Sequence, residues 1–236
     1  MRQTVYTGDI GTKTFEIILK LKSLANPKNV EGMARYGINP KNTLGITIPA
    51  LKAILREVGK SHELALKLWD SGIHEAKILA ALMDIPKVVT EEQMERWVKD
   101  FDSWDVCDQV CSKLFVKTTF AYVKARQWCK NDEEFVKRAG FVMITSLTVH
   151  DKRASDNVFL DFFDLIKEAS TDDRNFVKKA VNWALRQIGK RNQPLRVEAT
   201  RLAHEIYGIS TKSSKWIARD ALRELEKYWT GQRNSP

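Results

Sequence analysis

The chain contains no run of 18 uninterrupted apolar residues among its 236, which argues against a membrane-spanning helix. Met1 to Lys20 shows no basic segment followed by an apolar core, so no secretory signal is visible. Three cysteines, Cys107, Cys111 and Cys129, are too few to suggest a disulfide framework, and the expected compartment is cytoplasmic. Metal and phosphate motifs are also missing. There is no His-Glu-x-x-His, no Cys-x-x-Cys and no Gly-rich phosphate loop, and His62, His74, His150 and His204 are scattered. Cys107 and Cys111 are one helical turn apart with no histidine or third cysteine near them in sequence. That pattern fits small-residue packing better than zinc. No metal and no cofactor is expected. No convincing alternating strand is present. Gly45–Ile48 is β-branched but short, and it precedes Pro49. No Gly/Ser/Pro linker divides the chain, so residues 1–236 are expected to form one domain, with loose ends at about 1–10 and 230–236.

Apolar residues make up 43% and charged residues 29%, which is enough apolar surface to build a core and argues against disorder. The net charge of +9 is unevenly placed. Residues 174–236 hold 14 Lys+Arg against 5 Asp+Glu, and the preceding residues hold 25 of each. The whole excess therefore lies in the C-terminal quarter. Two readings stand for it: the electrostatic footprint of a polyanion partner, or a solvated basic surface.

The apolar periodicity is helical nearly throughout. Thr90-Glu91-Glu92-Gln93 reads as a capping box ahead of a stripe of Met94, Trp97, Val98 and Phe101. Asp102, Asp132 and Asp172 each stand where they could cap a following helix, and Gly189 and Pro194 suit a helix end. Asn26 to Pro49, with three of the six prolines, is the least regular stretch and reads as containing a loop over one end of the fold. Glu134-Phe135-Val136-Lys137-Arg138-Ala139 is similar to Asn175-Phe176-Val177-Lys178-Lys179-Ala180 at an offset of 41, and Lys215-Trp216-Ile217 follows 40 further on. A period near 40 without strands is the pattern of helix-pair repeats, each too small to bury its own apolar face. The expected fold is an all-α, curved solenoid of HEAT-like repeats with a basic concave face.

The chemistry-bearing candidates lie in Asp102-Ser103-Trp104-Asp105-Val106-Cys107-Asp108. Trp104 and Asp108 are four apart and share a helix face, whereas Asp105 falls in the favourable first turn. A carboxylate at the edge of an apolar stripe either meets a cation or lines a cleft. Both readings remain open for Asp108. Arg138 points toward a packed face, as an inter-helix ion pair or a site cation. Trp183, among Ala180, Ala184 and Gln187, is either core or site.

These segments resemble the AlkD-like DNA alkylation repair proteins. Ser103-Trp104-Asp105-Val106-Cys107-Asp108 is similar to that family's Ser-Trp-Asp-x-x-Asp motif, Lys137-Arg138-Ala139 to its Arg-Ala helix start, and Lys179-Ala180-Val181-Asn182-Trp183-Ala184-Leu185-Arg186 to its Lys-Ala-x-x-Trp-x-Leu-Arg segment. The resemblance runs from about Gly32 to Leu225. It departs at Asn42-Thr43-Leu44-Gly45-Ile46, where the family often has Phe-Leu-Gly-Ile. The resemblance implies a monofunctional glycosylase that releases cationic N3- or N7-alkylated purines from double-stranded DNA. Asp108 would be the catalytic carboxylate, Trp104 and Trp183 the aromatic flanks of the lesion's sugar, and Arg138 a nearby cation. The basic candidates for DNA contact are Lys178, Lys179, Arg186, Lys190 and Arg191. The expected partner is alkylated duplex DNA, met by a monomer with no obligate protein partner and no membrane. The alternative is a non-catalytic binder of distorted or branched DNA.

Overall fold

In the computed structural model, which describes residues 8–233 with side chains through Lys227, the periodic apolar spacing becomes helix almost everywhere. The described residues form fourteen α-helices and no strand. They fall into two compact units that divide after Thr119. The expected loose ends at 1–7 and 234–236 lie outside the described residues. Helix α1 (Ile10–Ser23) already starts at Asp9, whose carboxylate accepts from Thr12 N at 2.8 Å. At the other end the last helix extends past Thr230 to Arg233.

The first unit continues with α2 (Pro27–Arg35), α3 (Ile48–Val58), α4 (His62–Asp70), α5 (His74–Met83), α6 (Glu91–Lys99) and α7 (Trp104–Lys113). Helix α5 packs against its pair partner α4 and, in a row, against α3 and α7, while α1 packs on α4. The rings of Trp69 on α4 and Trp97 on α6 stack at 3.9 Å with planes 2° apart, and both are almost wholly buried. Such an aromatic pair adds about 1 kcal/mol beyond its area. The irregular stretch of the sequence is partly helical. Asn26 caps α2, Pro27 starts it, and only residues 36–47 lack regular structure.

The second unit holds α8 (Ala121–Cys129), α9 (Glu134–His150), α10 (Asp156–Leu160), α11 (Phe163–Ala169), α12 (Asn175–Gly189), α13 (Gln193–Gly208) and α14 (Lys212–Arg233). Helix α12 packs against both α9 and α14 in one row, and α11 packs against α8 and α13 in a second. These two rows are the HEAT-like arrangement that the 40-residue period implies. The repeat has direct physical consequences. Phe135 and Phe176, equivalent across the offset, stack at 5.4 Å. Arg138 Nη1 donates to Phe176 O at 2.7 Å, and Asn182 Nδ2 donates to Ile217 O at 3.0 Å. Gly140 allows α8 and α9 to touch, because a Cβ there would stand 2.4 Å from Cys129 N.

Several helix starts differ from the sequence reading. Thr90 does accept from Gln93 N at 3.2 Å, but the Gln93 amide donates to Asp84 Oδ2 at 2.7 Å instead of closing the box. Helix α7 starts after Ser103, not Asp102, whose carboxylate accepts from Asn39 Nδ2 at 2.8 Å. Glu133 and Arg174, rather than Asp132 and Asp172, occupy the N-cap positions of α9 and α12. Asp172 is held by Arg174 and Lys137. Gly189 ends α12 and Pro194 lies in the first turn of α13, as their chemistry suggests.

Candidate functional site

Helix α7 carries the first candidate site. Its buried face is Val106, Cys107, Val110 and Cys111, which leaves Trp104 and Asp108 half-buried one turn apart. Trp104 Nε1 donates to Tyr36 O at 3.0 Å, fixing the indole against the irregular 36–47 segment. The other acid of the motif has a different role. Asp105 Oδ2 meets His74 Nε2 at 2.8 Å, and the imidazole is nearly buried. Burial works against protonation of His74, but the hydrogen bond and charge of Asp105, with Glu75 and Asp102 behind them, outweigh it and raise its pKa. Asp105 Oδ1 is buried without a hydrogen-bond partner.

The start of α5 anchors the 36–47 segment. Glu75, 1% exposed, accepts from Leu44 N at 2.8 Å through Oε2, and from Gly45 N and Ile46 N at 2.6 and 3.2 Å through Oε1. His74 N donates to Asn42 O at 3.0 Å. Ser103 Oγ accepts from Asn39 N at 2.9 Å. Asn42 and Gly45 have φ of 58° and 76°. That left-handed turn suits Asn and Gly, and a Cβ at Gly45 would also collide with Asn26 O at 2.3 Å. Between this segment, α2, α5 and α7 lies a cavity of about 790 Å³, bordered by Met33, Tyr36, Ile46, His74, Ile78 and Trp104. The exposed lining is mostly apolar, with Lys28, Glu31, Arg35 and Asp105 among the charged residues at its border.

The second unit carries the remaining candidates. Arg138 is 5% exposed and tied to the main chain of α12, so it bridges two repeats. Trp183 is half-buried on α12 rather than sealed in the core. The basic candidates separate by their partners. Arg186 pairs with Asp220 at 3.5 Å and also with Glu224, and Lys190 pairs with Glu224. Burial lowers the pKa of both, with neighbouring cations adding to the effect. Arg191 donates to Thr148 O and Ala154 O, each at 2.9 Å, and lies 4.5 Å over the Phe159 ring. Lys179 is exposed, and Lys178 Nζ lies 5.2 Å over the Trp216 ring. Two features escape sequence reasoning. His74 and Asp105 are 31 residues apart, with no motif joining them. Glu75 acts on main-chain groups whose side chains carry no signal. Among the described residues, no group of three His, Cys, Asp or Glu side chains could hold a metal ion.

Comparison with known proteins places these features in context. A family model described as DNA alkylation repair enzyme matches residues 17–225. An uncharacterized protein of Listeria innocua serovar 6a is 24% identical over 214 residues, covering 88% of this chain and 93% of its own. An uncharacterized protein of Listeria monocytogenes serovar 1/2a is 29% identical over 126 residues, covering 52% of this chain and 56% of its own. A solved structure described as a new family related to the HEAT-like repeat DNA glycosylases, with affinity for branched DNA structures, superposes with a TM-score of 0.75 at 20% identity. That superposition covers 89% of this chain and 94% of the other.

Proposed function

The chain belongs to the DNA alkylation repair enzyme family, and from that premise we propose that it hydrolyses the N-glycosidic bond of cationic N3- or N7-alkylated purines in duplex DNA. One observation carries this reading. Helix α7 holds an indole at the edge of a cavity by the bond from Trp104 to Tyr36, one turn from Asp108. Within the Ser-Trp-Asp-x-x-Asp motif, it is the resemblance to the family that assigns the chemistry to Asp108.

Alkylation at N3 or N7 places a positive charge on the purine, so the base departs without a general acid. Cleavage develops cationic character on the sugar. The Asp108 carboxylate stabilises that oxocarbenium-like state and orients the attacking water. Trp104 contributes its π face to the same cation. No Schiff-base step is involved, so the enzyme has no strand-cleaving lyase activity. Lys178 and Lys179 supply phosphate contacts.

The test is release of 7-methylguanine from methylated duplex DNA, read by chromatography of the free base. Asp108→Asn abolishes release and leaves DNA binding intact. Unchanged release by that variant overturns the mechanism. A second reading is supported by the structural relative with affinity for branched DNA: a non-catalytic protein that binds branched DNA. It is adopted if the wild-type chain releases no base yet prefers a four-way junction to a linear duplex.

A further inference from the structure

We propose that the outward face of α14, with Trp216 at its centre, is a second nucleic-acid site that takes an unpaired, single-stranded DNA segment. The proposal rests on the reading of this chain as a DNA-binding protein, and it adds a site that is separate in the sequence from the Trp104–Asp108 helix.

Helix α14 has two faces. Ser213, Ser214, Ile217, Ala218, Ala221 and Leu225 are at most 4% exposed and pack inward. Lys212, Lys215, Trp216, Arg219 and Arg223 recur at helical spacing on the other face, where, with Asp220, they line a cleft of about 430 Å³. Trp216 is 40% exposed although smaller inward residues complete the core, so packing does not account for an indole at this position. Tyr207 on α13 is a second exposed aromatic, at 42%. Arg219 lies 5.6 Å over its ring and donates to its hydroxyl at 3.4 Å, and that hydrogen bond and charge lower the Tyr207 pKa. Lys178 lies over the Trp216 ring.

The charge of the cleft is one-sided. Among the described residues that line it, the one acid, Asp220, is engaged by Arg186 and Arg223. Among the described residues no carboxylate pairs with Lys212, Lys215 or Arg219. Cations alone would suit any polyanion. Exposed aromatic rings set among cations suit one whose flat groups are available for stacking. In a duplex the bases are already stacked and paired, so the indole would have no role there. An acidic peptide would use only the charges. An unpaired strand uses both, with phosphates on the Lys and Arg side chains and a base on the indole.

The experiment measures fluorescence anisotropy of the full chain with a labelled oligothymidine of about 15 nucleotides and with a blunt duplex of the same length. Trp216→Ala weakens oligothymidine binding by about tenfold, the loss of one stacked base, and changes duplex binding by less than about twofold. Trp216→Phe keeps most of the affinity, because a stacking face remains. Arg219→Ala lowers the slope of log affinity against log salt for the oligothymidine by about 0.7, the loss of one phosphate contact. Equal weakening of both probes by Trp216→Ala, or no weakening of either, overturns the proposal. A wild-type chain that binds the duplex but not the oligothymidine overturns this proposal alone. Binding to neither probe removes the DNA reading with it, and base release from methylated duplex tests catalysis independently of both.

Discussion

Glu75→Gln is a substitution of nearly unchanged shape whose cost can be worked out bond by bond. The carboxylate receives one main-chain N–H on Oε2 and two on Oε1. Glutamine keeps a single acceptor oxygen. Its best orientation leaves that oxygen toward Gly45 and Ile46 and turns the amide N–H₂ toward Leu44 N–H, donor against donor. An orphaned, part-buried N–H costs about 1–3 kcal/mol, and the two surviving bonds each lose about 1 kcal/mol as they change from charge-assisted to neutral. Glu75 also sits in the first turn of α5, where a negative charge is favoured by up to about 1 kcal/mol. Against this, the variant no longer has to bury a charge, which returns part of the loss. The net is a destabilisation of about 2–3 kcal/mol, and for a chain of this size a melting temperature lower by roughly 4–12 °C. The assay is thermal unfolding followed by circular dichroism, together with hydrogen exchange at Leu44, Gly45 and Ile46. These three amides lose protection before the rest of the first unit does. A melting temperature within about 1 °C of wild type, with exchange unchanged at those amides, would show that the carboxylate does not anchor the segment.

Two further substitutions test other parts of the structure. The pKa of His74 is raised in the folded state, so its ion pair with Asp105 contributes fully below the imidazole's unfolded value and is lost as pH rises through the folded value. The melting temperature of the wild-type chain therefore falls, as pH rises above the imidazole's unfolded value, by more than that of His74→Gln, and parallel pH profiles would refute the assignment. Gly140→Ala gains about 1 kcal/mol of helix propensity but forces a Cβ to within 2.4 Å of a main-chain nitrogen. The clash wins by about 1–3 kcal/mol net, and a urea midpoint at or above wild type would contradict it.

The helices were legible because their signals are local. Apolar spacing of three and four residues survives any tertiary arrangement, and Phe135 and Phe176, equivalent across the 41-residue offset, stack on each other. Helix starts were less legible for a physical reason. A short polar side chain can cap its own helix or serve another segment, and here tertiary partners prevail: Asn39 takes Asp102, Arg174 and Lys137 take Asp172, and Asp84 takes the Gln93 amide. Within the candidate site, Trp104 and Asp108 could be paired by spacing. The His74–Asp105 contact could not, because it joins the starts of two helices that become neighbours only when α5 packs on α7.

The basic C-terminal quarter shows how a correct total can leave the working residues unidentified. Its excess of 14 cations over 5 acids sets the long-range field, which attracts a polyanion whatever the local pairing. Contact is a different matter, because a Lys or Arg displaces a counterion condensed on a phosphate most readily when no carboxylate already neutralises that side chain. Arg186 and Lys190 share Glu224, Arg201 is held by Glu198 and Glu205, and Arg191 is bound to main-chain carbonyls. These side chains join repeat to repeat or brace one helix. Lys179, Lys212, Lys215 and Arg219 have no such carboxylate partner among the described residues, and three of the four lie on the outward face of α14 beside the exposed indole. Steering therefore belongs to the whole quarter, and contact on α14 to one turn-spaced row of side chains. Charge alone gives no reason for that row to contain a tryptophan, whereas an unpaired base does.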